Sequence, residues 1–166
     1  PVDKLISETT YEDLLAINLY DVNSQIPAAH LKIPTLSQYL TVCKKYDKVC
    51  FIEFKNLFEE EDILKVVEIV DSFQYSHKVV YISFILENLI FLRRHQKQAK
   101  IQYLVGEMTP KTLLTLRKYR FGLDINTSNL TKEIVDEVHK YHLEVNVWTV
   151  DNPIEALMLV SWGVDY

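Results

Sequence analysis

Glu53 and Lys55 close the short run "FIEFK" (Phe51 to Lys55), so an acid and a base two residues apart end what is otherwise an apolar stretch. Side chains alternate across a strand, which puts Val49, Phe51, Glu53 and Lys55 on one face and Cys50, Ile52 and Phe54 on the other. One face therefore turns from apolar to charged along its length. A buried carboxylate without a partner is costly, so that face must point where its charges are hydrated, paired or coordinated. Two readings fit these residues: a structural ion pair at a strand end, or the polar end of a site.

The same alternation separates Asp124 and Asn126 from Leu123 and Ile125, and it separates Glu144, Asn146 and Trp148 from Val145 and Val147. The purely aliphatic faces suit covering helices. Asp124 and Asn126 suit either an approach to a metal or ligand or the solvation of a loop. Ser83 ends another apolar run, but no GxSxG turn surrounds it and no partner histidine is identifiable, which favours hydrogen bonding near the site over nucleophilic chemistry.

These residues need elements to hold them. From Lys48 onward, β-branched or aromatic runs alternate with segments of helical period, the pattern of βα units. The predicted strands are "KVCFIEFK", "KVVYISF", "KIQYLVG", "FGLDIN" and "LEVNVWTV", with a sixth beginning at Val164. Between them, "EDILKVVEIVDSF" carries Ile63, Val66, Val67 and Val70 on one face, and "KEIVDEVHKYH" carries Ile134, Val135 and Val138. Thr109 before Pro110, Thr131, and Asp151 or Asn152 before Pro153 mark helix starts. The acidic run from Glu59 to Asp62 suits the positive end of a helix dipole better than a calcium loop, because EF-hand spacing is absent. The first 47 residues read as two helices, "TYEDLLAI" and "TLSQYLTVCKKY", joined by a loop containing Pro27 and Pro34.

Repeated parallel βα units build either an open doubly wound sheet or a closed barrel, and periodicity alone does not choose between them. The polar faces favour the barrel. Its mouth lies at the carboxyl ends of the strands, where Lys55, Ser83, Asn126 and Trp148 fall.

Composition narrows the classes of function. The 166 residues carry a net charge of −5 and no Lys/Arg cluster, which argues against binding a nucleic-acid backbone. No uncharged apolar run approaches the length of a bilayer span, so no direct membrane insertion is expected from this segment, and no signal segment opens it. Cys43 and Cys50 match neither a redox pair nor zinc-ligand spacing and read as buried, reduced thiols. His139 and His142 lie three residues apart without a third ligand nearby and read as a solvated helix end. The sequons at Asn126 and Asn129 read as chance matches.

The stretch "VNVWTVDNPIEALMLVSWGVDY" resembles the end of glycerophosphodiester phosphodiesterases, where a Trp-Thr-Val strand precedes Asn/Asp-Pro and a Gly-Val-Asp turn. In the same order as in that family come "TYEDLLAI", "IPTLSQYL", "FIEFK" for its Ile-Glu-x-Lys strand and "VVYISFILENLIFLRR". The resemblance implies a TIM-type (β/α)8 barrel, incomplete here, lacking its first two strands and most of its last, with residues 1–166 forming one partial domain. It implies metal-dependent hydrolysis of a small glycerophosphodiester substrate to sn-glycerol 3-phosphate and an alcohol. Glu53 would then be a catalytic metal ligand for Mg²⁺ or Ca²⁺, Lys55 would neutralise the phosphate, and Trp148 would wall the glycerol moiety. The family's His-Arg-Gly, Glu-x-Asp and second His-Asp segments have no counterpart in this sequence and would precede Pro1. The five histidines present stand outside those motifs, so residues 1–166 alone are expected to be inactive, with the parent protein cytoplasmic or attached to a membrane through a segment outside them. A non-catalytic barrel remnant acting as a binding module is the alternative.

Overall fold

The computed structural model describes residues 4–23, 26, 28 and 30–166. The chain divides into two compact units, Pro1–Val42 and Cys43–Tyr166. In the first, the predicted helices form as α1 (Tyr11–Leu15) and α2 (Leu36–Lys45), the last three residues of α2 belonging to the second unit. Thr10 caps α1 by accepting a hydrogen bond from the Asp13 amide at 3.2 Å. At the start of α2, Thr35 Oγ1 accepts from the Gln38 amide and Gln38 Oε1 accepts from the Thr35 amide, a reciprocal capping box. Pro27 lies outside the described residues.

The second unit alternates strand and helix as predicted: β1 (Cys50–Glu53), α3 (Glu60–Ser72), β2 (Val79–Ser83), α4 (Leu86–His95), β3 (Lys100–Val105), α5 (Pro110–Tyr119), β4 (Gly122–Asn126), α6 (Lys132–His139), β5 (Val145–Trp148) and α7 (Pro153–Trp162). Helix starts fall at the capping residues: Thr109 accepts from Thr112, Thr131 from Ile134, and Asn152 from Ile154, which settles the last start on Asn152. Glu60, Glu61 and Asp62 occupy the first turn of α3, where their charge meets the positive end of the helix dipole. Gly163 ends α7 at φ 88°, a left-handed conformation that a side chain would strain.

All five strands are parallel and pair in sequence order, β1-β2-β3-β4-β5. A doubly wound sheet reverses its order at a switch point, whereas this sheet advances in one direction, as a (β/α)8 barrel does. The result is a curled half-barrel of parallel strands. Beyond β5 the ladder continues in part: the Asp165 amide donates to Val145 O at 2.9 Å and the Val147 amide to Tyr166 O at 3.2 Å. The expected sixth strand thus begins as backbone pairing at the end of the chain.

Alternation decides what is covered. Cys50, Ile52 and Phe54, Val79 and Tyr81, Leu123 and Ile125, and Val145 are buried on one face of the sheet. Their counterparts in the core include Ile63, Val67 and Val70 of α3, Leu89 and Leu92 of α4, Leu116 of α5, and Val135 and Val138 of α6. Both cysteines are buried thiols. Among the described residues, no helix is long and apolar enough to cross a membrane.

Candidate active site

With the aliphatic residues turned toward the helices, the opposite parity is left to line the inside of the curl. A cavity of about 350 Å³ opens there, toward the carboxyl ends of the strands. It is lined by Phe51, Glu53 and Lys55 from β1 and the residues following it, Ile82 and Phe84 from β2 and its end, Leu104 from β3, Asp124 from β4, and Asn146, Trp148 and Thr149 from β5 and its end. Glu53, Lys55 and Trp148, singled out in the sequence for chemistry, therefore share one cavity.

Their geometry is close. Lys55 Nζ donates to Glu53 Oε2 at 2.7 Å, with the Glu53 side chain 25% exposed and that of Lys55 76% exposed. The ion pair expected from the sequence is formed, and it lies in this cavity. Across the curl, the Trp148 ring meets Phe84 edge to face, centroids 5.9 Å apart, while Phe84 stays half exposed at the rim. Apolar area and charge lie side by side, as small-molecule sites commonly arrange them.

Asp124, read in the sequence as equally suited to a ligand or to a loop, joins this lining. It is buried, pairs in register with Leu104 on one side and Asn146 on the other, and lines the same cavity. Burial, and then the nearby charge of Glu53, push its carboxyl up to about 7, against the opposing influence of the Asn146 amide. Alternation put Asp124 on the correct face. Its burial depends on neighbours distant in the chain, which no local pattern reveals.

Ser83, Asn126 and Glu144 lie outside this lining. Ser83 does not line the cavity; it shares the helix-covered face with Val79 and Tyr81, is fully buried, donates to Phe54 O at 2.6 Å and accepts from the Ile85 amide. Asn126 turns to its own loop, accepting from the Ser128 amide at 2.9 Å, so of its two readings the loop is the one observed. Glu144 shares a face with Asn146 and Trp148 but sits at the amino end of the sheet, where Lys100 Nζ bonds to it at 2.6 Å and to Tyr166 OH at 2.9 Å. The lining is thus ionic near both ends of the strands.

Among the described residues, no histidine lines the cavity. His139 instead approaches Asp165 Oδ2 at 3.0 Å, and His142 borders a separate depression at the amino ends with Arg93 and Arg120. No group of three or more His, Cys, Asp or Glu stands together as a metal-ligand set among the described residues. Glu53 offers a hard carboxylate oxygen in a water-accessible cavity, which fits a cation of the Mg²⁺ type, bound through one or two carboxylates and completed by water and phosphate oxygens.

A parallel βα curl with acid, base and an aromatic ring at its carboxyl mouth is the half-barrel scaffold of the (β/α)8 class. The chain belongs to the glycerophosphoryl diester phosphodiesterase family, whose model matches residues 1–166. It is similar to the crystal structure of a glycerophosphodiester phosphodiesterase from Parabacteroides distasonis at 27% identity and a TM-score of 0.73, covering 96% of this chain and 66% of that one. A candidate enzyme of the same name from Galdieria sulphuraria shares the fold at 22% identity and a TM-score of 0.81, over 98% of this chain and 67% of that one. So does an Oleispira antarctica phosphodiesterase, solved in complex with its product sn-glycerol-3-phosphate, at 23% identity and a TM-score of 0.72, over 81% of this chain and 56% of that one. The chain thus spans about two thirds or less of these structures. No functionally curated protein matches it.

Proposed function

We propose that this chain forms part of a cation-assisted phosphodiesterase site that splits a glycerophosphodiester into sn-glycerol 3-phosphate and an alcohol. Family membership supports the reaction class, and the product bound by the Oleispira antarctica relative supports the glycerol phosphate half of the substrate. The observation that carries the reading is the convergence of Glu53, Lys55 and Trp148 on one cavity at the carboxyl ends of the strands.

In this proposal Glu53 holds a divalent cation, Mg²⁺ or Ca²⁺, through its carboxylate. The bound cation would supply positive charge to the phosphoryl oxygens. Lys55, fixed by Glu53, places a second positive charge where the anion at phosphorus is stabilised. The Trp148 ring receives the apolar carbon face of the glycerol moiety. Among the described residues no histidine lines this cavity, and residues 1–166 taken alone are expected to be inactive.

The test uses the intact polypeptide that carries these residues. Glu53→Ala should abolish release of sn-glycerol 3-phosphate from glycerophosphocholine in the presence of Mg²⁺ or Ca²⁺, while the circular dichroism spectrum stays that of the parent. Unchanged turnover would remove Glu53 from the site.

A further inference from the structure

Buried polar atoms are nearly always hydrogen-bonded, so those without partners point to something absent. Among the described residues the buried side-chain atoms in that state are both ends of Gln102, Asp124 Oδ1 and Trp148 Nε1. Gln102 is walled in: a Cβ added at Gly122 would meet its Cγ at 2.8 Å, and it does not line the cavity. Asp124 and Trp148 do line it. They sit on adjacent strands, with Asp124 in register with Asn146, two residues before Trp148.

We infer that Asp124 is a specificity-determining residue of this cavity, its Oδ1 accepting a hydrogen bond from a hydroxyl of a polyol moiety whose carbon face rests on Trp148. The inference rests on the phosphodiesterase reading for the identity of that polyol, glycerol. Chemistry selects a hydroxyl over the other occupants. Once ionised, above about pH 7, the Asp124 carboxylate only accepts and repels phosphate, so the anionic part of the substrate belongs beside Lys55. The proposed function gives the cation to Glu53; since Glu53 and Asp124 line one cavity, titration in chelator leaves a hydroxyl as the partner for Asp124. A neutral hydroxyl both satisfies the acceptor and places its carbon against an aromatic face, and an analogue lacking it leaves the buried oxygen unpaired.

Calorimetric titration of the intact polypeptide at about pH 8.5 in chelator, with Asp124 ionised, using sn-glycerol 3-phosphate and n-propyl phosphate, which lacks both hydroxyls, tests this. The parent protein should bind sn-glycerol 3-phosphate about tenfold or more tightly than n-propyl phosphate, the scale of a hydrogen bond to a charged group. Asp124→Ala should erase most of that preference while changing affinity for n-propyl phosphate by less than about twofold. No preference in the parent, or a preference that survives in Asp124→Ala, overturns the assignment. Should thermal melting show that Asp124→Ala does not fold, Asp124→Asn keeps the shape and offers a weaker neutral acceptor, so the preference should shrink about threefold or more. A full preference in that variant is equally fatal. Turnover of glycerophosphocholine by the same parent preparation separates the two readings: turnover without preference sinks the Asp124 assignment alone, and preference without turnover supports it while removing the hydrolysis.

Discussion

Lys55 Nζ lies 2.7 Å from Glu53 Oε2, joining the acid that ends β1 to the base two residues beyond it along one face of the sheet. The Lys55 side chain is 76% exposed, and an exposed ion pair contributes about 1 kcal/mol at most. Stability alone is a weak reason for this pair. Lys55→Met should therefore leave the urea midpoint nearly unchanged, whereas, if Lys55 faces the reacting phosphate as proposed, its loss should lower kcat for glycerophosphocholine about 100-fold or more. A variant that melts early yet turns over normally would reduce the pair to a structural one.

Trp148 lines the cavity and meets Phe84 edge to face at 5.9 Å. If its ring receives the glycerol carbons, Trp148→Ala removes apolar contact worth on the order of 1 to 3 kcal/mol. The loss should be read mainly in KM, with kcat changed far less, because that contact is made equally before and during the chemical step. Steady-state kinetics on glycerophosphocholine decide it. An effect confined to the melting temperature would assign Trp148 to packing.

The face that each strand residue occupies was legible because alternation is local: Glu53 and Lys55 line the cavity, while Cys50, Ile52 and Phe54 lie buried on the other side. Capping residues were legible for the same reason, as Thr109, Thr131 and Asn152 show. Ser83 forms the hydrogen bonds expected of it, but on the helix-covered face, because it follows the parity of Val79 and Tyr81 rather than that of Ile82 and Phe84. The Lys100 to Glu144 pair joins residues 44 positions apart and leaves no local signature. The burial of Asp124 has the same origin, since β3 and β5 must close around β4 before its carboxyl loses water. The polar faces already favoured a barrel over an open sheet, and strand order, a property of pairing between distant segments, agrees with it.

Ser83 Oγ donates to Phe54 O at 2.6 Å and accepts from the Ile85 amide at 3.0 Å, tying the end of β1 to the start of α4. Both contacts lie on the helix-covered face. Ser83→Ala leaves the carbonyl and the amide to find other partners in a buried setting, which costs about 1 to 3 kcal/mol. Urea unfolding should show that loss, and kcat per folded molecule should be nearly that of the parent. A drop in kcat with unchanged stability would instead place Ser83 in the chemistry.

Asp124 makes stability depend on pH in an unusual direction. Its folded carboxyl is held at about 7, above its ordinary value of 3.8, so near pH 3 the group is protonated whether the chain is folded or unfolded. Between those two values the unfolded chain releases the proton while the folded one keeps it. The folded state then binds more protons, and stability falls as pH rises until both forms are ionised above 7. Asp124→Asn has no proton to lose there, so relative to the parent it should gain up to about 4 kcal/mol between pH 3 and pH 8. Any fixed penalty from the new amide shifts its whole curve without changing that slope. Urea unfolding across this range in chelator-treated buffer makes the comparison, and parallel curves for the two proteins would contradict it. The second cause of the shift is the charge of Glu53, so in a Glu53→Gln background the relative gain should shrink while the part due to burial persists.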